Sequence, residues 1–219
     1  MSRTFLGEPE LAYKRDVYLA LELLDAVTMT RVHEGVKVVA EGLQRKPIVN
    51  HSGFFVWIKE GNSVAQKITV DPDELPYEKT ELSPVNFPLS TIQLQPKVDY
   101  PFSPGLTGLR GTLIERDITP RVPVGNAEVQ LVWLDDSDIW RDALTTSPTN
   151  SSSGDFVSIL RLAPTEKPKI NANGAVTVRL QVRRGVLSRS STDFQLPQGR
   201  VTDPSTSNPL IFAWDDLQP

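Results

Sequence analysis

AVTVRLQV, residues 175–182, places Val176, Val178, Leu180 and Val182 at every second position. Thr177, Arg179 and Gln181 fall between them. Successive side chains of a strand point to opposite faces, so this period of two predicts a half-buried β-strand. AEVQLVWL, residues 127–134, alternates in the same way. From this pair the same grammar can be followed in both directions.

Toward the N-terminus, Leu109 to Glu115 reads as a strand and Asp117 to Asn126 as a proline-bearing turn. Ser90 to Leu94, Gln66 to Val70, Phe54 to Ile58 and the alternating Val36, Val38 and Ala40 are expected strands. Turns are expected at Pro47 to Gly53 and at Gly61-Asn62, where residues that tolerate left-handed φ gather. Asp71 to Pro88 reads as loop with one edge strand at most. Val17 to Val27, VYLALELLDAV, would also suit a short helix. Its alternation of Val17, Leu19, Leu21 and Leu23 and the strands that follow favour a strand.

Toward the C-terminus, Asp135 to Ser153 is expected to be a long polar loop, followed by a strand from Phe156 to Leu162. The tail from Leu187 is rich in Ser, Thr, Pro and Gln, and closes on Leu210 to Trp214, LIFAW. That segment is expected either to complete a sheet of its own module or to add to a neighbour's edge. The chain holds 219 residues and 18 prolines, which suits many short strands in two modules better than long helices. Tyr100-Pro101-Phe102-Ser103-Pro104-Gly105 reads as the linker. The expectation is an all-β protein of two tandem Ig-like or transthyretin-like β-sandwich domains, residues 1–100 and 101–219.

An internal repeat supports the duplication. Gly35-Val36-Lys37-Val38 and Asn50-His51-Ser52-Gly53-Phe54-Phe55 align with Gly125-Asn126-Ala127-Glu128-Val129 and Asn150-Ser151-Ser152-Ser153-Gly154-Asp155-Phe156. The second block also runs Gly111-Thr112-Leu113 through Pro123-Val124-Gly125-Asn126-Ala127-Glu128-Val129. It resembles the carboxypeptidase regulatory-like family, with its opening "G-x-V" strand, "P-V-x-G-A-x-V" and "D/S-G-x-F". The first block fits more loosely, without the opening glycine. The resemblance covers about half of each module and implies a transthyretin-like sandwich of seven or eight strands without enzymatic activity.

The composition narrows function further. A net charge of −4 argues against nucleic acid, which needs a basic face. Arg179, Arg183, Arg184 and Arg189 are the local exception and read as a solvated sheet face and turn, or as a dock for an acidic partner. Without cysteine, and with His33 and His51 as the only histidines, thiolate chemistry and sulfur-bound zinc are ruled out. Asp71-Pro72-Asp73-Glu74 and Asp135-Asp136-Ser137-Asp138 lack the calcium-loop pattern. His51-Ser52-Gly53 reads as a turn, not as a nucleophile with its base. The segment MSRTFLGEPELAYKRD lacks the apolar run of a secretory signal, and no stretch approaches the ~20 apolar residues of a membrane span.

Trp57 and Trp133 are expected in the core, whereas Ile139 and Trp140, in a polar stretch, are expected to touch a partner. Phe212 and Trp214 of the tail are the second candidate contact. The expectation is thus a non-catalytic structural or adaptor protein made in the cytoplasm, with protein partners in a large assembly. Phage-tail-like contractile injection particles are the model for such an assembly. A carbohydrate- or surface-binding module is the alternative. No catalytic residue, cofactor, metal, nucleic-acid or small-molecule partner is expected.

Overall fold

The computed structural model describes residues 16–59, 64–83, 85, 88–205, 207 and 210–219. The turn expected at Gly61-Asn62 lies outside them. The described residues form sixteen strands and one 3-10 turn, with no α-helix, so the chain is all-β. It divides into two compact units. The first comprises the described residues up to Leu24, with Arg31–Asp73 and Lys79–Ile92. The second comprises Asp25–Thr30, Glu74–Glu78 and Gln93–Pro219.

The first unit is built on β1 (Val17–Asp25) as far as Leu24, β2 (Lys37–Glu41), β3 (Ile48–Val49), β4 (Phe55–Ile58), β5 (Lys67–Asp71), β6 (Thr80–Leu82) and β7 (Leu89–Leu94) as far as Ile92. One sheet has the order β3-β4-β1-β7 and the other β2-β5-β6. The ambiguous first segment is a strand: Leu19, Leu21 and Leu23 are fully buried, alternating with half-buried neighbours. Ile68 and Val70 of β5 and Phe55 and Trp57 of β4 are buried at the same period of two. Each sheet therefore buries one face, the pattern of a β-sandwich.

The second unit adds β8 (Gly108–Ile114), β9 (Glu128–Leu134), β10 (Trp140–Pro148), β11 (Asp155–Ile159) and β12 (Ala175–Arg184). It ends with β13 (Leu187–Ser190), β14 (Phe194–Pro197), β15 (Val201–Thr202) and β16 (Ile211–Ala213). Strands β10-β9-β12-β13 form the larger sheet, with β14 also on β12; β11-β8-β15 form the other, with β16 also on β8. Their inner faces meet in one core in which Val129, Leu131 and Trp133 of β9 and Val178 and Leu180 of β12 touch the cluster holding Leu109, Leu113 and Phe156.

Two expectations change here. The polar stretch after Asp135 is not a long loop, because Trp140–Pro148 is strand β10 and pairs antiparallel with β9. Its polar side chains belong on the end strand of the sheet, although at its middle the Leu144 N–H and the Thr145 hydroxyl bond the Arg161 and Ile159 carbonyls. The Ser/Thr/Pro-rich tail likewise holds the short strands β13, β14 and β15.

The turns share a physical rule. Asn50, Asp135 and Asn171 each open a turn in which the first residue's side-chain oxygen accepts the N–H groups two and four residues on. The fourth residue has positive φ: Gly53, Asp138 and Gly174. Asp25 and Asn150 open a version one residue longer, closed by Met29 at φ 60° and Gly154 at φ 71°. Asn and Asp serve because a short side chain reaches its own backbone. Gly154 has no substitute, since a Cβ there would lie 2.2 Å from the Leu113 carbonyl oxygen. The Asn50 and Asn150 turns share the asparagine acceptor and differ by one residue in length, and Asp135 and Asn171 repeat the shorter form.

Candidate functional site

On the larger sheet of the second unit the odd and even residues part company. Val129, Leu131 and Trp133 enter the core, so Gln130, Val132 and Leu134 face outward. Registered partners share a face. Trp140 lies opposite Leu134, and Arg179 opposite Val132, which puts both on the outer face. The Arg179 guanidinium sits 3.9 Å over the Trp140 ring, and its Nε donates to Asp193 Oδ1 at 2.5 Å. The cation holds one face of the indole and is itself held by a carboxylate. Around them, Gln195 donates to Thr177 Oγ1 at 2.9 Å and Gln130 to the Ala143 carbonyl at 2.7 Å.

Ile139 reaches this region through the Asp135 turn. Asp135 Oδ1 accepts the N–H groups of Ser137 at 2.9 Å and Ile139 at 2.8 Å, and Oδ2 accepts Arg141 Nε at 2.9 Å. The Ile139 N–H, and then the Arg141 guanidinium and the Ser137 N–H, hold the Asp135 carboxyl below the usual carboxylate range. The turn fixes the Ile139 backbone and leaves its side chain 51% exposed, while Leu144, farther along edge strand β10, is 61% exposed. Ile139 and Trp140 are thus a prefixed aliphatic–aromatic pair at the start of a sheet edge.

The tail residues lie elsewhere. β16 pairs parallel with β8, so the tail completes a sheet of its own unit. Phe212 is half-buried in an aromatic row, 6.0 Å from Phe156 and 5.9 Å from Phe194. Trp214 is buried in the core with the Arg189 guanidinium 4.7 Å over its ring. Its burial against its own core leaves little indole to offer a partner. Trp57 and Trp133 are core residues, as their strands predicted.

The basic run is matched within the chain. Arg179 pairs with Asp193, Arg183 with Glu128, and Arg184 with Glu115 at 2.7 Å. Arg189 donates to the Trp214 carbonyl at 2.8 Å. Among the described residues no group of three or more His, Asp or Glu side chains is placed to hold a metal ion. No helix among them is long and apolar enough to cross a membrane. Sequence reasoning missed Leu144 and the role of Arg179 beside Trp140. The second depends on the β9–β12 and β9–β10 registers, which a single sequence does not carry.

The fold and this surface define the class: an all-β protein with sandwich-type packing and a fixed apolar pair on a sheet edge. In comparisons with known proteins, no family model, no curated protein and no solved structure matched the chain.

Proposed function

We propose that this protein is a non-catalytic structural or adaptor component that works through protein–protein contacts on the β10 edge of its larger sheet. The observation that carries this reading is the exposure of Ile139 and Leu144 on either side of the Arg179-clamped Trp140. Aliphatic side chains on a sheet edge cost little to order on binding when their backbone is already fixed. An aromatic beside an arginine has the composition of an interface hot spot. On this reading the protein is made in the cytoplasm and built into a particle of the phage-tail-like contractile injection type. The carboxypeptidase regulatory-like resemblance of residues 111–156 implies a sandwich without enzymatic activity.

The test is affinity capture from the native cell with mass spectrometry, comparing the wild type with Ile139→Asp/Leu144→Asp. Capture of sheath, tube or baseplate proteins by the wild type and their loss with the variant is the expected result. Equal capture by both would remove the β10 edge from the reading. Glycan-array binding abolished by Trp140→Ala would replace it with carbohydrate binding on the ring face that Arg179 leaves open.

A further inference from the structure

The second unit holds a pocket that the Ile139–Trp140 surface does not use. It has a volume of about 370 Å³ and lies where the Asp25 turn, the approach to β8, the end of β11 and the start of β12 converge. That is near the lower end of the ~300–1,000 Å³ of small-molecule sites. Val27, Leu106, Ile159, Leu160, Leu162 and Val176 give it a largely apolar wall. Among the described residues that line it, Arg161 is the one charged side chain.

Arg161 is also the exception among the arginines. Four of those described are half-buried: Arg110, Arg161, Arg179 and Arg189. Arg110 pairs with Asp203, Arg179 with Asp193 and Arg189 with Asp215. Arg161 forms no ion pair with any described residue. Its guanidinium carries five donors, and the hydrogen bond it makes among the described residues is a long one, to the Ala26 carbonyl at 3.4 Å. The nearest acid in sequence, Glu166, instead accepts the Ala163 N–H at 2.6 Å. A half-buried cation beside apolar walls has given up water without gaining a counter-charge. A carboxylate matches the guanidinium fork with two parallel hydrogen bonds.

The pocket's backbone offers less to a peptide. The N–H groups of Ala26, Val27, Gly105, Leu160, Arg161 and Gln198 all bond acceptors within the chain. An extended segment draws its affinity from main-chain hydrogen bonds and would find few donors here. A compact acid needs only the guanidinium and the apolar wall.

We infer that this pocket binds a small monocarboxylic acid with a compact apolar body. The carboxylate sits on Arg161 and the body lies against Leu160 and Val176. The ion pair sets the orientation, and burial of the body supplies affinity. The sequence gave no sign of such a ligand because the wall is assembled from segments that lie far apart along the chain. The assignment does not rest on the adaptor reading, and loss of the β10 contacts would leave it standing.

The experiment uses the full chain with labelled methyl groups, followed by NMR. The probes are hydrocinnamate, its primary amide, acetate, and a short peptide ending in phenylalanine with a free carboxylate. Hydrocinnamate is expected to shift the Val27, Leu160 and Val176 methyl signals saturably at millimolar concentration. The amide should bind about tenfold more weakly, since it lacks the charge that the guanidinium takes. Acetate, without a body, should leave these methyl signals unmoved. Arg161→Gln should erase the preference for acid over amide and leave the amide's own affinity unchanged, with an unaltered urea midpoint showing that the fold is intact. Arg161→Lys should keep the preference at about threefold, because a point charge replaces the fork.

Three results would overturn the inference. One is no shift of the Leu160 and Val176 methyl signals with hydrocinnamate, a readout that needs no variant. Another is equal affinity for acid and amide in the wild type. The third is tighter binding of the peptide than of hydrocinnamate, which would assign the pocket to the chain end of a partner protein.

Discussion

Asp25 and Asn150 open the same five-residue turn in the same compact unit, and the surroundings give the two turns different weight. In both, Oδ1 accepts the N–H groups two and three residues on, and the chain closes through a residue of positive φ. Asn150 is half-buried, and beyond these bonds its Oδ1 takes, among the described residues, the Ser152 hydroxyl at 2.8 Å. Asp25 is 3% exposed, and its Oδ2 takes two phenols, Tyr77 at 3.0 Å and Tyr100 at 2.5 Å. Tyr100 in turn leans on Phe102, 4.8 Å between ring centres, and its carbonyl accepts Arg110 at 2.8 Å. The lesson is that turn grammar fixes backbone shape, while burial decides how much stability hangs on it.

The largest effect should come from deleting the side chain at each position. Asp25→Ala removes an acceptor from four donors and leaves two buried phenols with only each other, one acceptor short. At ~1–3 kcal/mol for each buried unsatisfied group, the loss should be on the order of 3–5 kcal/mol. Asn150→Ala loses only a local turn cap, worth about 1 kcal/mol. Urea unfolding of both variants measures this as a shift in midpoint at unchanged slope. Equal losses would erase the distinction between the two turns.

The next effect is a pH dependence that belongs to the Asp25 turn alone. Burial, and then the Asp25 charge, push the Tyr77 hydroxyl up from its usual 10 to about 12, and the same causes raise Tyr100. A raised folded-state value means that the folded protein holds these protons more tightly than the unfolded chain does. The stabilisation is therefore complete below about pH 10 and declines as the pH climbs through about 12. Midpoints measured at pH 8, 10 and 11.5 should fall across the last interval. In Tyr77→Phe/Tyr100→Phe the decline should be shallower from a lower starting stability. A variant that declines as steeply as the wild type would take the effect away from these phenols.

The strands of this comparison were legible from alternation; the Asp25 network was not. The β1 reading rested on Val17, Leu19, Leu21 and Leu23 at period two; the three leucines are buried, while Val17, at the strand's start, is exposed. Nothing local to Asp25 announces phenols that arrive from 52 and 75 residues away. β10 escaped for a different reason. Asp142, Thr145 and Thr146 give no hydrophobic period, because the register shifts between Asp142 and Thr146 and one side of the strand faces water. Ile139 and Trp140 stood out as apolar residues in a polar stretch, and the structure leaves Ile139 exposed and Trp140 half-buried under Arg179. Phe212 and Trp214 stood out equally and proved to pack against their own unit, because sequence cannot tell an edge strand's inner face from its outer one.

The smallest effect lies at the closing residue of each turn, where the two turns differ by a methionine and a glycine. Met29 at φ 60° and Gly154 at φ 71° occupy the same backbone region. A non-glycine residue there costs about 1 kcal/mol, which Met29→Gly would recover. The added freedom of glycine in the unfolded chain takes back about 0.5–1 kcal/mol. The net should be a gain or loss within about 0.5 kcal/mol. The reciprocal Gly154→Ala should cost about 2 kcal/mol or more, because its Cβ meets the Leu113 carbonyl as well as the strained φ. Thermal and urea midpoints of both variants read the asymmetry directly. A loss above about 1 kcal/mol in Met29→Gly would show that the half-buried methionine side chain, and not the backbone, is what this turn relies on.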